Sequence, residues 1–329
     1  MQKNEIKPNI PNEDYQKDSG KGSTFFKMIS EKSLLHATSK EWKETESMKI
    51  GTAVHMKLLE PELFDGSYAC NEISKEGLLV TADDLKRILK EKGLKITGKK
   101  DELIERLIDF DNVYKYQIYD VVLAKMIKDS IGKIILNPEQ LHKINAMVKS
   151  VNNHQLASKM LSGGQGERSY FTEVSGVRLK TRPDYENNNS LIDIKTCMDA
   201  SPDGFQKAVV NFGYHLQASF YLDIFNKTTG KEYENFYFIA VENSAPYAVA
   251  VYSLDKVSID VGRELYRSAL AEYVEYLAEP DKTKAVYESG YDTGIVELQI
   301  PQWSVQKAEM KLESNIEKLE RLESQRISA

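Results

Sequence analysis

The chain has 329 residues and a formal net charge of −6, long enough for one large core plus a small accessory module. Its two cysteines, Cys70 and Cys197, stand far apart and fit no zinc or iron–sulfur spacing, which points to reduced thiols in a cytoplasm. No long apolar run or signal-peptide pattern occurs, so membrane insertion and secretion are not expected.

Residues 1–24 are polar, with Pro8 and Pro11 among scattered charges, and predict a flexible N-terminal arm. Residues 25–77 open the main domain and carry Gly51-Thr52-Ala53-Val54-His55 and Leu59-Glu60-Pro61-Glu62-Leu63-Phe64. A histidine on a mostly apolar helix is more often a core residue than a ligand, so His55 alone decides nothing. His36, His142, His154 and His215 have no comparable context and read as structural or surface residues.

Residues 78–110 predict an inserted helical hairpin. Thr81 and Asp84 form a capping-box start, and Leu85, Ile88 and Leu89 face Leu103, Ile104, Leu107 and Ile108 across the Gly93–Gly98 loop. From Lys86 to Lys100, seven basic residues stand against the single acid Glu91, so positive charge is segregated here on an otherwise acidic chain. Lys86, Arg87, Lys90, Lys95, Lys99 and Lys100 are the candidate DNA contacts. Gly98-Lys99-Lys100 opens a helix N-terminus, where backbone N–H groups and lysines can both meet phosphate. A hairpin whose charges only keep it soluble accounts for the same composition.

Residues 111–300 hold the rest of the core, as helices to about residue 160, a Gly163-Gly164 loop, and then a hairpin. Pro183-Asp184 lies on one extended segment and Asp193-Ile194-Lys195 on the next, with Asn187-Asn188-Asn189 turning between them. Strand side chains alternate faces, so Asp193 and Lys195 project to one side and Ile192 and Ile194 to the other. Leu191, Ile192 and Ile194 make that strand buried, where an aspartate and a lysine are costly unless paired or bound to metal. A structural Asp–Lys pair at a sheet end is the competing account. Pro183-Asp184 upstream favours a hard-cation site with a lysine beside it, which is phosphodiester-hydrolysis chemistry. Phe205 to Phe225 predicts one helix, with Phe205, Val209, Phe212, Leu216 and Phe220 on its apolar stripe and Gln217 and Tyr221 sharing a face. Tyr233–Val241 and Tyr247–Leu254 predict strands, and Val257–Leu277 a closing helix. The tail, 301–329, predicts a helix with Val305, Ala308, Leu312, Leu319 and Leu322 at heptad-like spacing, suited to docking on its own domain or on another subunit.

The order strand, Arg182-Pro183-Asp184, turn, Asp193-Ile194-Lys195-Thr196, helix with Tyr214-His215-Leu216-Gln217 resembles the PD-(D/E)XK nuclease superfamily. Together with the two segments around His55 and Pro61, it is similar to the RecE-type (exonuclease VIII-like) branch, over roughly residues 28–70 and 140–300. The inserted hairpin resembles a SAP-type DNA-binding motif. The resemblance implies an α/β fold with a central mixed sheet flanked by helices. It implies that Asp184, Asp193, the Ile194 carbonyl and His55 bind Mg²⁺ (or Mn²⁺ as substitute), and that Lys195 orients or activates water and stabilises phosphate charge. Glu173 is expected to complete the metal shell or bind a second ion, and Gln217 and Tyr221 to support the site and contact the DNA backbone. The implied activity is a 5′-to-3′ exonuclease on double-stranded DNA ends, a homo-oligomer working with a RecT-like annealing protein in a bacterial host. A structure-specific or restriction-like endonuclease, or a silent DNA-binding scaffold, are the alternatives.

Overall fold

The computed structural model describes residues 4–8, 10–39, 45–70, 73–279, 287, 290–291 and 294–327. The N-terminal part comprises β1 (Glu5–Lys7), α1 (Asn12–Lys17), α2 (Ser23–Glu31), α3 (Leu34–Ser39), α4 (Glu46–Leu59), α5 (Pro61–Ser67) and β2 (Tyr68–Cys70). Next come α6 (Ala82–Glu91), α7 (Lys100–Phe110), a 3-10 turn (Asn112–Tyr116), α8 (Tyr119–Asp129), β3 (Ile134–Leu136), α9 (Pro138–Asn153) and α10 (Gln155–Met160). The remainder is β4 (Gln165–Gly166), β5 (Ser169–Val174), β6 (Val177–Thr181), β7 (Tyr185–Asn187), β8 (Ser190–Cys197), α11 (Pro202–Asn211), α12 (Tyr214–Thr229), β9 (Asn235–Glu242), β10 (Val249–Ser253), α13 (Lys256–Ala278) and α14 (Gln302–Ile327).

The central sheet is mixed, in the order β10-β9-β8-β7-β4, with β8 and β9 parallel and the other neighbours antiparallel. Its two middle strands are apolar on both faces because helices cover both. On one face Ile192, Ile194, Ile239 and Val241 pack against Ala53 and Val54 of α4 and Ile144, Met147 and Val151 of α9. On the other, Leu191, Phe236 and Phe238 pack against Ala218, Leu222 and Phe225 of α12. The opposite side of α12, with Leu216, Phe220 and Ile224, packs on α2, α13 and β6. This helix is therefore buried almost all round, and Gly262 of α13 lets the two helices touch: a Cβ there would come 2.2 Å from the His215 carbonyl oxygen.

The Asn turn forms as expected. Asn188 and Asn189 both adopt positive φ (46° and 60°), the conformation a two-residue hairpin loop demands and asparagine tolerates. The expected strands at 235–242 and 249–253 and the closing helix are also present.

Four expectations need correction. The helix expected over Phe205–Phe225 is two helices: Gly213 takes φ 66° in the left-handed region and ends α11, leaving Phe212 exposed instead of on a continuous stripe. The extended segment before the Asn turn is also divided between two sheets, β6 in one and β7, the partner of β8, in the other. Pro183 cannot donate to a ladder, and at Arg182-Pro183-Asp184 the chain leaves an antiparallel sheet ordered β1-β5-β6 to enter the central one.

The described part of the N-terminal arm is tied down. β1 pairs with β5, Lys180 Nζ donates to the carbonyls of Tyr15 (2.7 Å) and Asp18 (2.9 Å) at the end of α1, and buried Tyr15 receives the Arg182 guanidinium at 4.2 Å. Polar composition concealed this because the contacts are themselves largely polar: backbone carbonyls meet Lys180, and Glu5 and Asp18 pair with Arg178; residues 1–3 and 9 lie outside the described residues.

The inserted unit is larger than 78–110. Leu85, Leu89, Leu103, Ile104 and Leu107 share their core with Tyr114 and Ile118, and Leu79 bridges Ile118, so α8 and the 3-10 turn belong to it. Thr81 and Asp84 form the expected capping box. The unit leaves and re-enters through β2 and β3, which pair in parallel with Tyr68 opposite Ile134. At the far end of the chain, α14 is helical as expected, but Leu312 and Leu319 are exposed, as are Trp303 and Met310; the side chain of Leu322 lies outside the described residues. No helix among the described residues is long and apolar enough to cross a membrane.

Candidate active site

Asp184 and Asp193 meet at the edge of β8, where β7 has ended. Asp184 Oδ2 accepts the Ile194 N–H at 2.6 Å, which fixes its carboxylate against the strand. A strand residue's N–H and C=O leave on the same edge, so the Ile194 carbonyl opens toward Asp184 as well. Asp193 points to the α12 side, where Gln217 Nε2 donates to its Oδ1 at 2.9 Å. Lys195 Nζ lies 2.6 Å from Asp193 Oδ2 and 4.8 Å from the centre of the Tyr214 ring. At 2.6 Å this contact is a buried ion pair.

His55 comes from α4, whose start is capped by the Thr45 hydroxyl and whose apolar face lies on β8. Its Nδ1 is 3.5 Å from Asp184 Oδ1. The third carboxylate is Glu167, not Glu173. Gly166 pairs with Tyr185, and the Glu167 N–H donates to the Asp184 carbonyl at 3.0 Å, so the two acids are cross-strand neighbours. Ligand atoms of His55, Glu167 and Asp184 all lie within 4.8 Å of one another. Glu173 is exposed on β5 opposite Arg178, in the other sheet. It is the acid next to the β5–β6 turn, whereas Glu167 sits in an irregular loop at φ 52°, a backbone that no strand pattern announces.

Sequence spacing also missed the surroundings of Glu167. Arg182 stands 4.0 Å from it, held by Ser169 Oγ and the Ile10 carbonyl and stacked on Tyr15. Tyr221, one turn beyond Gln217, is half-buried; burial, then Tyr15 and Asp193, push its hydroxyl well above the usual phenol range. Three other histidines are used elsewhere: His36 meets Ser33 Oγ, His154 caps α10, and His215 meets the Val209 carbonyl.

The electrostatics of this cluster are those of buried carboxylates crowded beside one another and beside cationic groups. Burial, with Asp184 behind it, raises the Glu167 pKa to about 8. Burial raises Asp193 to about 6 against the pull of Lys195. Burial would also raise Asp184, but His55 and Lys195 outweigh it and hold that carboxyl below its ordinary value. Burial would lower His55, yet Asp184, Asp193 and Glu167 lift it to about 9. Lys195 is likewise kept charged, its burial outweighed by Asp193 and Asp184. Buried carboxylates at such spacing are costly unless protonated or bound to a cation. The carboxylates of Glu167 and Asp184 with the His55 imidazole form a donor set that fits a hard divalent ion, which would take the place of the protons, and Asp193 lies on the strand beside it.

A mixed sheet covered by helices on both faces, with Pro183-Asp184 and Asp193-Ile194-Lys195 meeting at its edge, defines a core of the PD-(D/E)XK nuclease superfamily. The chain belongs to the family described as a PDDEXK-like domain of unknown function (DUF3799), whose model matches residues 22–286. No curated protein matches the sequence. A crystal structure described as a "Putative exonuclease" from Eubacterium rectale is similar over 90% of this chain and 98% of that one, with 11% identity and a TM-score of 0.49.

Proposed function

We propose that the protein is a divalent-metal-dependent exonuclease that acts on the ends of double-stranded DNA, uses Mg²⁺, and proceeds 5′ to 3′ to leave a single-stranded tail. The observation that carries this is the convergence of Asp184, Asp193, Glu167, His55 and Lys195 on one recessed sheet edge. Asp184, Asp193, Glu167, the Ile194 carbonyl and His55 would hold the cation. Once bound, it would supply Lewis-acid stabilisation of the phosphate and a hydroxide nucleophile at neutral pH.

The chain's own groups do the rest. Lys195 holds an ammonium beside the position of the scissile phosphate and neutralises charge that grows on its oxygens. Gln217 fixes the Asp193 carboxylate, and Tyr221 closes the wall behind it. The resemblance to RecE-type enzymes further suggests a RecT-like annealing partner, a homo-oligomer built in part through α14, and action in the cytoplasm of a bacterial host. Linear and covalently closed circular duplex, each with Mg²⁺ or EDTA, test the activity. Loss of linear DNA alone, with Mg²⁺ alone, is expected; opening of the circle would make it an endonuclease, and survival of both a silent scaffold.

The inserted unit is proposed to tether DNA. Lys90, Lys92, Lys95 and Lys99 are exposed and form no ion pair among the described residues, whereas Lys86, Arg87 and Lys100 face Asp83, Glu91 and Asp120. Arg106 donates to the Lys95 and Thr97 carbonyls and so shapes the loop that presents these lysines. Deleting residues 71–133 and joining Cys70 to Ile134 by a Gly/Ser linker of about a dozen residues, the crossover that a parallel pair needs, should leave the core folded, because the unit's apolar residues pack on one another. Cleavage at saturating DNA should persist while affinity falls, and the slope of log K against log salt should shrink by about 0.9 for each phosphate that the lysines no longer neutralise. An unchanged salt slope would assign the unit to protein contacts instead.

A further inference from the structure

Asp193 is 2% exposed and Asp184 8%, so the scissile phosphate has to be carried into a crevice. A stiff duplex does not bend into such a recess, whereas a strand released from its complement does, at the cost of unstacking its bases. Beside the crevice is a graded run of aromatic rings. Phe205 and Phe238 are buried in the core, Tyr214 packs 5.9 and 5.6 Å from them and carries Lys195 at 4.8 Å, and Phe212 stacks on Tyr214 at 5.7 Å with 30° between the planes.

Phe212 is 58% exposed, and no buried core claims its outer surface. Its centre is no farther from the Lys195 ammonium than those 4.8 and 5.7 Å steps laid end to end, a span of about three stacked nucleotides. Lys27 Nζ stands 5.9 Å from the Phe212 ring centre, placed by the Asn211 carbonyl and Glu31. An exposed ring with an ammonium at its side offers a surface for a base and a charge for the adjoining phosphate, the two elements that recognise single strands without regard to sequence.

Resting on the nuclease assignment above, we propose that Phe212 is the stacking platform for an unpaired base of the strand being cut, within a few nucleotides of the scissile phosphate. Gly213 sets this position: its left-handed turn ends α11 and turns the ring out of the apolar stripe. Phe212 is thus a positioning residue for the substrate and takes no part in bond breaking. Because every base has an aromatic face, the platform acts on any sequence.

The test is a cycle between protein and DNA. An abasic residue is moved through the last four nucleotides of the strand to be cut in a linear duplex, and kcat/KM is measured for the wild type, Phe212→Ala and Phe212→Trp. At one position the abasic residue should slow the wild type and Phe212→Trp about 10-fold, the worth of one base–aromatic stack, and leave Phe212→Ala at its already reduced rate. Equal sensitivity of wild type and Phe212→Ala at every position would overturn the platform. A second arm uses the Lys195→Ala protein with Mg²⁺ and 2-aminopurine at the same positions. Emission should change on binding, and that change should vanish when Phe212→Ala is added. Should the wild type cut no DNA while this fluorescence response persists, the nuclease assignment falls and the platform stands; cutting without any dependence on Phe212 gives the reverse.

Discussion

Asp193→Ala and Lys195→Ala are each expected to slow DNA degradation by about 10³-fold or more, equivalent to roughly 4 kcal/mol of transition-state stabilisation. Asp184→Ala should behave in the same way. The aspartates supply cation ligands, and Lys195 the only ammonium within an ion-pair distance of Asp193 among the described residues. Loss of Lys195 has a second effect, since burial and Asp184 already press the Asp193 pKa up to about 6, and without Lys195 the acid form gains further. Removing one partner of a buried pair can cost about 3–5 kcal/mol of stability, so Lys195→Met, which keeps the stem of the side chain, accompanies Lys195→Ala. Circular dichroism and thermal midpoints establish folding in parallel with the rate measurements. Folded variants that retain near-wild-type rates would sink the nuclease assignment.

Glu167→Gln and Glu173→Gln should diverge. Glu167 is the cross-strand neighbour of Asp184, and its loss should reduce cleavage about 10²-fold and weaken cation binding, while Glu173→Gln should match the wild type. Stability without metal provides a second readout of opposite sign. The folded-state pKa of Glu167 is raised to about 8 from an ordinary 4.5, so between these pH values the unfolded chain binds fewer protons than the folded one. Stability is therefore lost as pH rises through that window, and Glu167→Gln should recover on the order of 2 kcal/mol of it above pH 8. The same variant should show a smaller rise in thermal midpoint when Mn²⁺ is added, because it has both less repulsion to relieve and one ligand fewer. If Glu173→Gln is the impaired variant, Glu173 and not Glu167 belongs to the site.

The core of the site was legible because it depends on local pattern. Alternation along β8 sets Asp193 apart from Ile192 and Ile194, the Asn turn sets the hairpin, and the spacing on α12 brings Gln217 to Asp193. What escaped was long-range or carried by backbone. Glu167 reaches Asp184 through a two-residue strand too short to have a period, and Tyr15 reaches Arg182 across the whole domain. The apolar spacing over Phe205–Phe225 runs straight across Gly213, and the extended segment at Pro183-Asp184 carries no sign of a change of sheet. Periodicity reports which residues are buried, and the chain here satisfies it with a change of sheet and a second helix. The inserted hairpin was correct in its capping box and helix faces, but its boundary moved outward, since Tyr114 and Ile118 complete a core that α6 and α7 cannot close alone.

Whether these groups hold one cation together is decided by crystals soaked in Mn²⁺ and measured at its absorption edge. An anomalous peak is expected between α4 and the edge of β8. Oxygens of Asp184, Asp193 and Glu167 should lie about 2.0–2.6 Å from it, with a nitrogen of His55 in the same shell. No peak at that position, or a peak whose shell excludes both Asp184 and Asp193 with the His55 ring turned away, would contradict it.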